Sequence, residues 1–153
     1  EMPDFAMIFT LDADYDRIRF YGYGPKENYI DRCCGARLGV YESTAADEVE
    51  PYLRPQETGN HGGVRWIELC DHSGHGLRLT GAAPMEASAL PYRPHELENA
   101  RHAYDLPRSA HTYLRASAGM CGVGGDDSWG APVLTEYTHP NAARHLRFTM
   151  QGI

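Results

Sequence analysis

The chain has 153 residues, a length that suits one domain and allows a hydrophobic core without disulfides or metals. Apolar residues make up 42% and charged residues 23% of the sequence, which excludes an intrinsically disordered protein. The formal net charge of −7 argues against nucleic acid and anionic membrane surfaces as partners, because both attract a basic surface.

The sequence carries no sign of membrane insertion or export. No apolar run approaches the roughly 20 residues that a membrane helix requires, and the first residues lack the features of a signal peptide. The four cysteines are Cys33, Cys34, Cys70 and Cys121. An adjacent pair such as Cys33 and Cys34 is a poor basis for disulfides, because neighbouring residues of a strand point to opposite faces. We therefore expect reduced cysteines in a cytoplasmic protein.

Short apolar stretches separated by turn residues predict a series of β-strands. The predicted strands cover residues 5–11, 17–23, 37–43, 64–70, 76–80, 111–117, 132–137 and 144–150. In the second strand, the alternation places Ile18 and Phe20 on one face together with Gly22. In the fourth strand, it places Trp66 in the core. For residues 44–49 the pattern leaves a loop and a helical turn equally open.

One segment, residues 94–104, predicts a helix. Pro94 suits the first helical position, and Leu97, Ala100 and Tyr104 recur at helical spacing. The element pattern as a whole predicts an all-β fold, a mostly antiparallel β-sandwich with one short helix near 94–104.

Cys70, His72 and His75 lie close together at spacings that suit a metal ion. The same segment has the composition of a hairpin turn, and these residues alone do not define a metal site. We favour the turn and predict no metal site.

The residues before Trp129 contain no recognisable catalytic pattern. Asp126 and Asp127 are adjacent, and neighbouring side chains of an extended chain diverge, so we interpret them as loop residues that bind backbone amides. Residues 122–125 are rich in glycine, but no Lys-Ser/Thr follows as in a phosphate loop. Ser128 lacks the flanking glycines of a nucleophile elbow. We predict no catalytic residue in this chain.

Trp129 follows a run of glycine and aspartate, so we place it on a loop. Two interpretations stay open. The ring is an aromatic plug that closes one end of the sandwich, which composition alone favours. The alternative is a platform that packs against the C–H face of a sugar while the indole N–H reaches a hydroxyl.

Three stretches of the sequence and the predicted helix stand in a distinctive order. The stretches are GPKENYIDR at residues 24–32, YLRPQETGN at 52–60 and MCGVGGDDSW at 120–129. In this order they resemble the C-terminal domain of the large bacterial β-galactosidases of glycoside hydrolase family two. The last stretch is the most specific. Thr58 stands where the family usually has Asn, and Cys121 is an additional residue before the glycines.

The resemblance implies a fold and a parent enzyme. The fold is a large antiparallel super-sandwich similar to galactose mutarotases, and residues 1–153 are a single partial domain, its later portion, in keeping with a first residue, Glu1, that is not Met. The parent enzyme is a retaining β-galactosidase that hydrolyses terminal β-D-galactosides such as lactose. Its two catalytic glutamates and its magnesium and sodium ligands lie on a separate barrel, so the resemblance implies no cofactor here and no activity of this chain alone.

In the same family a tryptophan that matches Trp129 contacts substrate at the mouth of the active site. The implied partners are the remainder of the β-galactosidase chain, especially its catalytic barrel, the galactoside substrate, and further copies in a homo-oligomer. Two alternatives are a free-standing galactoside-binding β-sandwich and a purely architectural domain.

Overall fold

The computed structural model describes residues 3–127, 129–140 and 142–153. Its strands are β1 (Asp4–Asp12), β2 (Arg17–Gly24), β3 (Arg37–Thr44), β4 (His61–Cys70), β5 (Gly76–Leu90), β6 (His111–Met120) and β7 (Phe148–Gly152). The described residues also form one α-helix, α1 (Pro94–Asn99), and two 3₁₀ helices, Ala103–Asp105 and Thr135–Tyr137.

The strands form an antiparallel sheet in the order β1-β6-β5-β4-β2-β3, with β7 paired to β5. The strand β5 is 15 residues long, and its two ends pair with different strands. Near its start, Leu79 pairs with Ile67 of β4 and with Met150 of β7, and near its end Ala87 pairs with Ala116 of β6. This arrangement confirms the predicted all-β, antiparallel class.

The buried apolar side chains of the sheet form one core cluster. Ile18 and Phe20 of β2 are buried, as their alternation predicts, and they belong to one cluster with Leu114 of β6. The rings of Phe9 and Phe148, from β1 and β7, pack edge to face against each other with their centroids 6.0 Å apart, and both contact this cluster. Strands from both sides of the sheet therefore share one core, as in the predicted sandwich.

The prediction that Trp66 lies in the core is wrong. Irregular pairing between β4 and β5 around Val64 and Trp66 changes the alternation, so that Ile67 faces the core and Trp66 the opposite side of the sheet. There the indole is half-buried, with the guanidinium groups of Arg19 and Arg78 lying 5.7 and 4.4 Å from its ring centroid.

The helix ends five residues earlier than predicted. Ala100 already has extended backbone angles, and the carboxylate of Asp105 accepts a hydrogen bond from the N–H of His102 over 3.0 Å. Such local side-chain bonds compete with helix formation. Tyr104, whose spacing matched Leu97, is 81% exposed and adds nothing to the core.

Two predicted strands near the C-terminus differ from the structure. Within 132–137 the described chain forms the 3₁₀ helix Thr135–Tyr137 instead of a strand. The predicted strand 144–150 begins only at Phe148, which pairs with Gly81, although the N–H of Ala82 still donates to the carbonyl of Arg147 over 2.9 Å. From Glu86 onward this edge of β5 pairs with β6 instead. Residues 44–49, left open by the sequence, form hydrogen-bonded turns that begin at Thr44.

Cys33, Cys34 and Cys70 are free thiols, as the sequence predicts. Among the described residues, no helix has the length and apolar composition needed to cross a bilayer.

Candidate functional site

Segments that are far apart in sequence meet at the candidate site. Residues 24–32 contact residues 52–60 through hydrogen bonds to Glu27, and they contact residues 122–125 through Asp31. The sequence stretches that carry the family resemblance are therefore neighbours in the structure.

Glu27 is the centre of the first contact. Its carboxylate accepts hydrogen bonds from the guanidinium of Arg32 and the phenol of Tyr52. The hydroxyl of Thr58 donates to it over 2.9 Å and the N–H of Gly59 over 2.7 Å. The Glu27 side chain is only 7% exposed, so these charge-assisted bonds act in a region of low dielectric. Thr58, the departure from the family pattern, thus binds Glu27 directly.

Asn28 and Asn60 join the same two segments by hydrogen bonds. The N–H of Asn28 donates to the carbonyl of Asn60 over 2.7 Å, and the Asn60 side-chain amide donates to the carbonyl of Asn28 over 2.9 Å. The Asn28 side chain in turn accepts from the N–H of Gly62 over 2.9 Å. Both asparagines are almost fully buried, so this contact is a rigid base for the site.

Arg115, on β6, is a buried cation next to Asn60, with 5% of its surface exposed. Its guanidinium donates to the Asn60 side chain over 2.7 Å and forms ion pairs with Asp4 at 3.1 Å and Glu57 at 3.4 Å. Glu86 joins the group through Asn60, whose amide donates to it over 3.2 Å. Several carboxylates therefore surround one arginine.

Burial governs the protonation of these carboxylates. Desolvation raises the pKa of Glu86 to about 7, although the charge of Arg115 opposes the shift. Desolvation also raises the pKa of Glu57, again against the charge of Arg115. Because Glu86 titrates near neutral pH, the cluster has a pH dependence that its sequence does not reveal.

The second contact holds the glycine limb, which we define as residues 122–125. The N–H of Gly124 donates to the carboxylate of Asp31 over 2.7 Å, and the N–H of Gly122 donates to the carbonyl of Tyr137 over 2.8 Å. Gly124 and Gly125 have φ angles of 68° and 94°, a conformation that favours glycine. The limb therefore combines a glycine backbone with attachment at defined points.

Trp129 lies beyond this limb with 93% of its surface exposed. The carboxylate of Asp127 accepts hydrogen bonds from the N–H groups of Trp129, at 2.8 Å, and Ala131, at 3.2 Å. Asp127 thus has the local role that the sequence predicts for it. At this exposure the indole does not plug the sheet of this chain.

A small cleft lies between the two contacts. Its volume is about 240 Å³, and it is lined by Arg32, Tyr52, Gln56 and Glu57 together with residues 123–125 of the glycine limb. Its side chains include both hydrogen-bond donors and acceptors, and the cleft borders the limb that leads to Trp129.

The remaining candidate residues either lie away from this site or are not among the residues that the structure describes. Cys70, His72 and His75 lie at the β4–β5 hairpin, where both imidazoles are exposed, and the described residues contain no group of three His, Cys, Asp or Glu placed to bind a metal. Asp126 is exposed, and Ser128 lies outside the described residues.

The sequence reasoning missed Glu27, Asp31 and Arg115 as individual residues of the site. For the first two, the GPKENYIDR stretch was the available signal, but nothing in it identifies their partners. For Arg115, the signal was a single charge inside the strand pattern of residues 111–117, which predicts a buried and paired side chain when both faces of the strand are covered.

Comparison with known proteins places the chain in a family. The sequence model of the β-galactosidase small chain matches residues 1–151. The chain belongs to this β-galactosidase small-chain family.

Individual relatives agree with this assignment. The chain is 49% identical to β-galactosidase BgaC of Bifidobacterium adolescentis over 91% of its length. It is 45% identical over its full length to a β-galactosidase of Priestia megaterium, and 42% identical over 88% to one of Streptococcus thermophilus. The matched region spans only 13–15% of the length of these relatives.

Proposed function

We propose that this chain is a non-catalytic portion of a cytoplasmic, retaining β-galactosidase of glycoside hydrolase family two, which hydrolyses terminal β-D-galactosides such as lactose. Its membership of the small-chain family and its 42–49% identity to proteins named β-galactosidase support this proposal. In a retaining enzyme one carboxylate attacks the anomeric carbon and another protonates the leaving oxygen. Both carboxylates, with the magnesium and sodium ligands, belong to the rest of the parent protein.

Within that enzyme the chain is part of a larger antiparallel super-sandwich, and its main partner is the remainder of the polypeptide. Exposed apolar side chains at both edges of the sheet support this role. Phe5, Met7 and Ile8 on the edge strand β1 are 40–52% exposed, and Leu38 and Val40 on the opposite edge strand β3 are 44% and 51% exposed. Apolar edge strands are normally covered in a complete protein.

The direct contribution of the chain to the active site is Trp129, which forms an apolar wall at the substrate mouth. The observation that carries this assignment is the 93% exposure of its indole beyond a limb fastened by hydrogen bonds. A sugar presents C–H groups that pack against such a ring, and burial of a large aromatic surface contributes roughly 1.5–3 kcal/mol. This corresponds to about a ten- to a hundredfold effect on affinity.

The test is the substitution Trp129→Ala in the complete β-galactosidase. We expect KM for lactose to rise about tenfold to a hundredfold while kcat stays within a few fold, because the wall binds substrate without entering the bond-breaking step. Tyr104→Ala is the matched control, since Tyr104 is an aromatic residue with 81% exposure on another segment. Unchanged kinetics in Trp129→Ala would refute the assignment.

A further inference from the structure

Asp31 connects the buried part of the site with the limb that leads to Trp129. It lies in a tight turn closed by a pair of backbone hydrogen bonds between Tyr29 and Arg32, at 3.3 and 2.8 Å. The guanidinium of Arg32 is itself bound to the carboxylate of Glu27. The turn that carries Asp31 is therefore held by its own backbone bonds and by the bond between Arg32 and Glu27.

The Asp31 carboxylate contacts the glycine limb at two residues. Its Oδ2 atom accepts the 2.7 Å hydrogen bond from the N–H of Gly124. A Cβ atom built on Gly122 would lie 2.5 Å from the same oxygen, so the limb backbone packs directly against the carboxylate. Together with the bond from the N–H of Gly122 to the carbonyl of Tyr137, this carboxylate is therefore a fixed point of attachment for the limb.

The other carboxylate oxygen supports a role beyond stability. Oδ1 of Asp31 is buried and accepts no hydrogen bond from the described residues. A buried acceptor without a donor costs folding free energy. An Asp at this position is thus a poor choice for stability alone, and its benefit lies in the hydrogen bond that Oδ2 accepts from the N–H of Gly124.

We propose that Asp31 is a positioning residue, which holds the glycine limb so that Trp129 presents its ring at a defined place. This inference rests on the proposed function of Trp129. Asp31 touches no substrate in this role, and it acts only through the backbone of the limb. Loss of its hydrogen bond lets the limb move, so that the indole spends less time where a sugar can pack against it.

The test compares Asp31→Ala with Asp31→Asn in the complete β-galactosidase, each with and without Trp129→Ala. D31A removes the acceptor, and we expect KM for lactose to rise by about tenfold with kcat nearly unchanged, because an indole that is in place only part of the time loses no more affinity than its removal in W129A. D31N retains a side-chain oxygen that accepts from Gly124, so its KM stays near the wild-type value. Asp14→Ala is the control, because Asp14 is an exposed aspartate on a different turn.

Hydrogen exchange of peptides that cover the glycine limb gives an independent readout of the contact. We expect faster exchange there in D31A and near wild-type exchange in D31N. In the W129A background, D31A should raise KM no further, because the group that it positions is absent.

The outcomes separate the two proposals. Unchanged limb exchange and unchanged KM in D31A would overturn the positioning role, whatever W129A does. An equal rise in KM with and without Trp129 would overturn it as well, because Asp31 would then act by another route. If W129A leaves KM unchanged while D31A still accelerates limb exchange, the proposed function fails and the contact between Asp31 and the limb stands.

Discussion

The carboxylate of Glu27 accepts a hydrogen bond from the backbone N–H of Gly59 over 2.7 Å, across 32 residues of sequence. This carboxylate also accepts from the hydroxyls of Thr58, Tyr52 and Tyr29 and from the guanidinium of Arg32. The site therefore suits a group that only accepts hydrogen bonds, which among the side chains is an ionised carboxylate.

The first prediction follows from this set of donors. Glu27→Gln replaces one accepting oxygen by an NH₂ group, which places a donor against donors in a buried position. We expect the free energy of unfolding to fall by about 2–4 kcal/mol, the range for leaving buried partners of a charged group unsatisfied. Urea denaturation followed by circular dichroism measures this change. Glu98→Gln, an exposed glutamate on α1, should change the value by less than about 0.5 kcal/mol.

The second prediction concerns the close approach of β2 and β4. A Cβ on Gly22 would lie 2.8 Å from Cγ2 and 3.1 Å from Cα of Val64, and backbone atoms of a central strand do not yield easily. Gly22→Ala should therefore lower the free energy of unfolding by about 1–3 kcal/mol, as overpacking typically does. In Gly35→Ala, where a new Cβ meets nothing within 4 Å, stability should hardly change. Equal denaturation midpoints for the two variants would contradict the packing argument.

The third prediction is a pH dependence of stability that arises from Glu86. The folded protein keeps the proton on Glu86 up to a pKa of about 7, whereas the unfolded chain releases it near the ordinary value of 4.5. Between these values unfolding releases a proton, so the stability that Glu86 contributes is complete at low pH and is lost as pH rises towards 7. The expected slope from this one group is at most about 1.4 kcal/mol per pH unit.

Glu86→Gln removes this proton exchange and keeps a polar side chain beside Asn60. The slope of stability against pH between 5 and 7 should become flatter in the variant by the contribution of one proton, as measured by urea denaturation at a series of pH values. Glu57, whose pKa burial also raises, contributes in the same direction and leaves a residual slope. Identical slopes in the two proteins would show that Glu86 is ionised throughout this range.

Much of the secondary structure was predictable because it depends on neighbours in the sequence. The alternation of Ile18 and Phe20 predicts their shared buried face, which the sheet uses as expected. Trp66 follows a similar alternation and was placed on the wrong face, because a local irregularity in pairing with β5 is a property of two strands together. The early end of α1 likewise depends on a carboxylate, that of Asp105, binding the chain beyond the helix.

The candidate site was predictable only in part. The sequence by itself determined the all-β class, the motifs and the selection of Trp129, since these depend on residue types and on their short-range order. Only the tertiary structure decided that Glu27 binds Gly59, that Asp31 binds Gly124 and that Arg115 forms ion pairs with its carboxylates. It also decided the exposure of Trp129. These contacts join residues between 32 and 111 positions apart, and burial then sets the pKa values of the carboxylates, so both depend on how the whole sheet closes around its core.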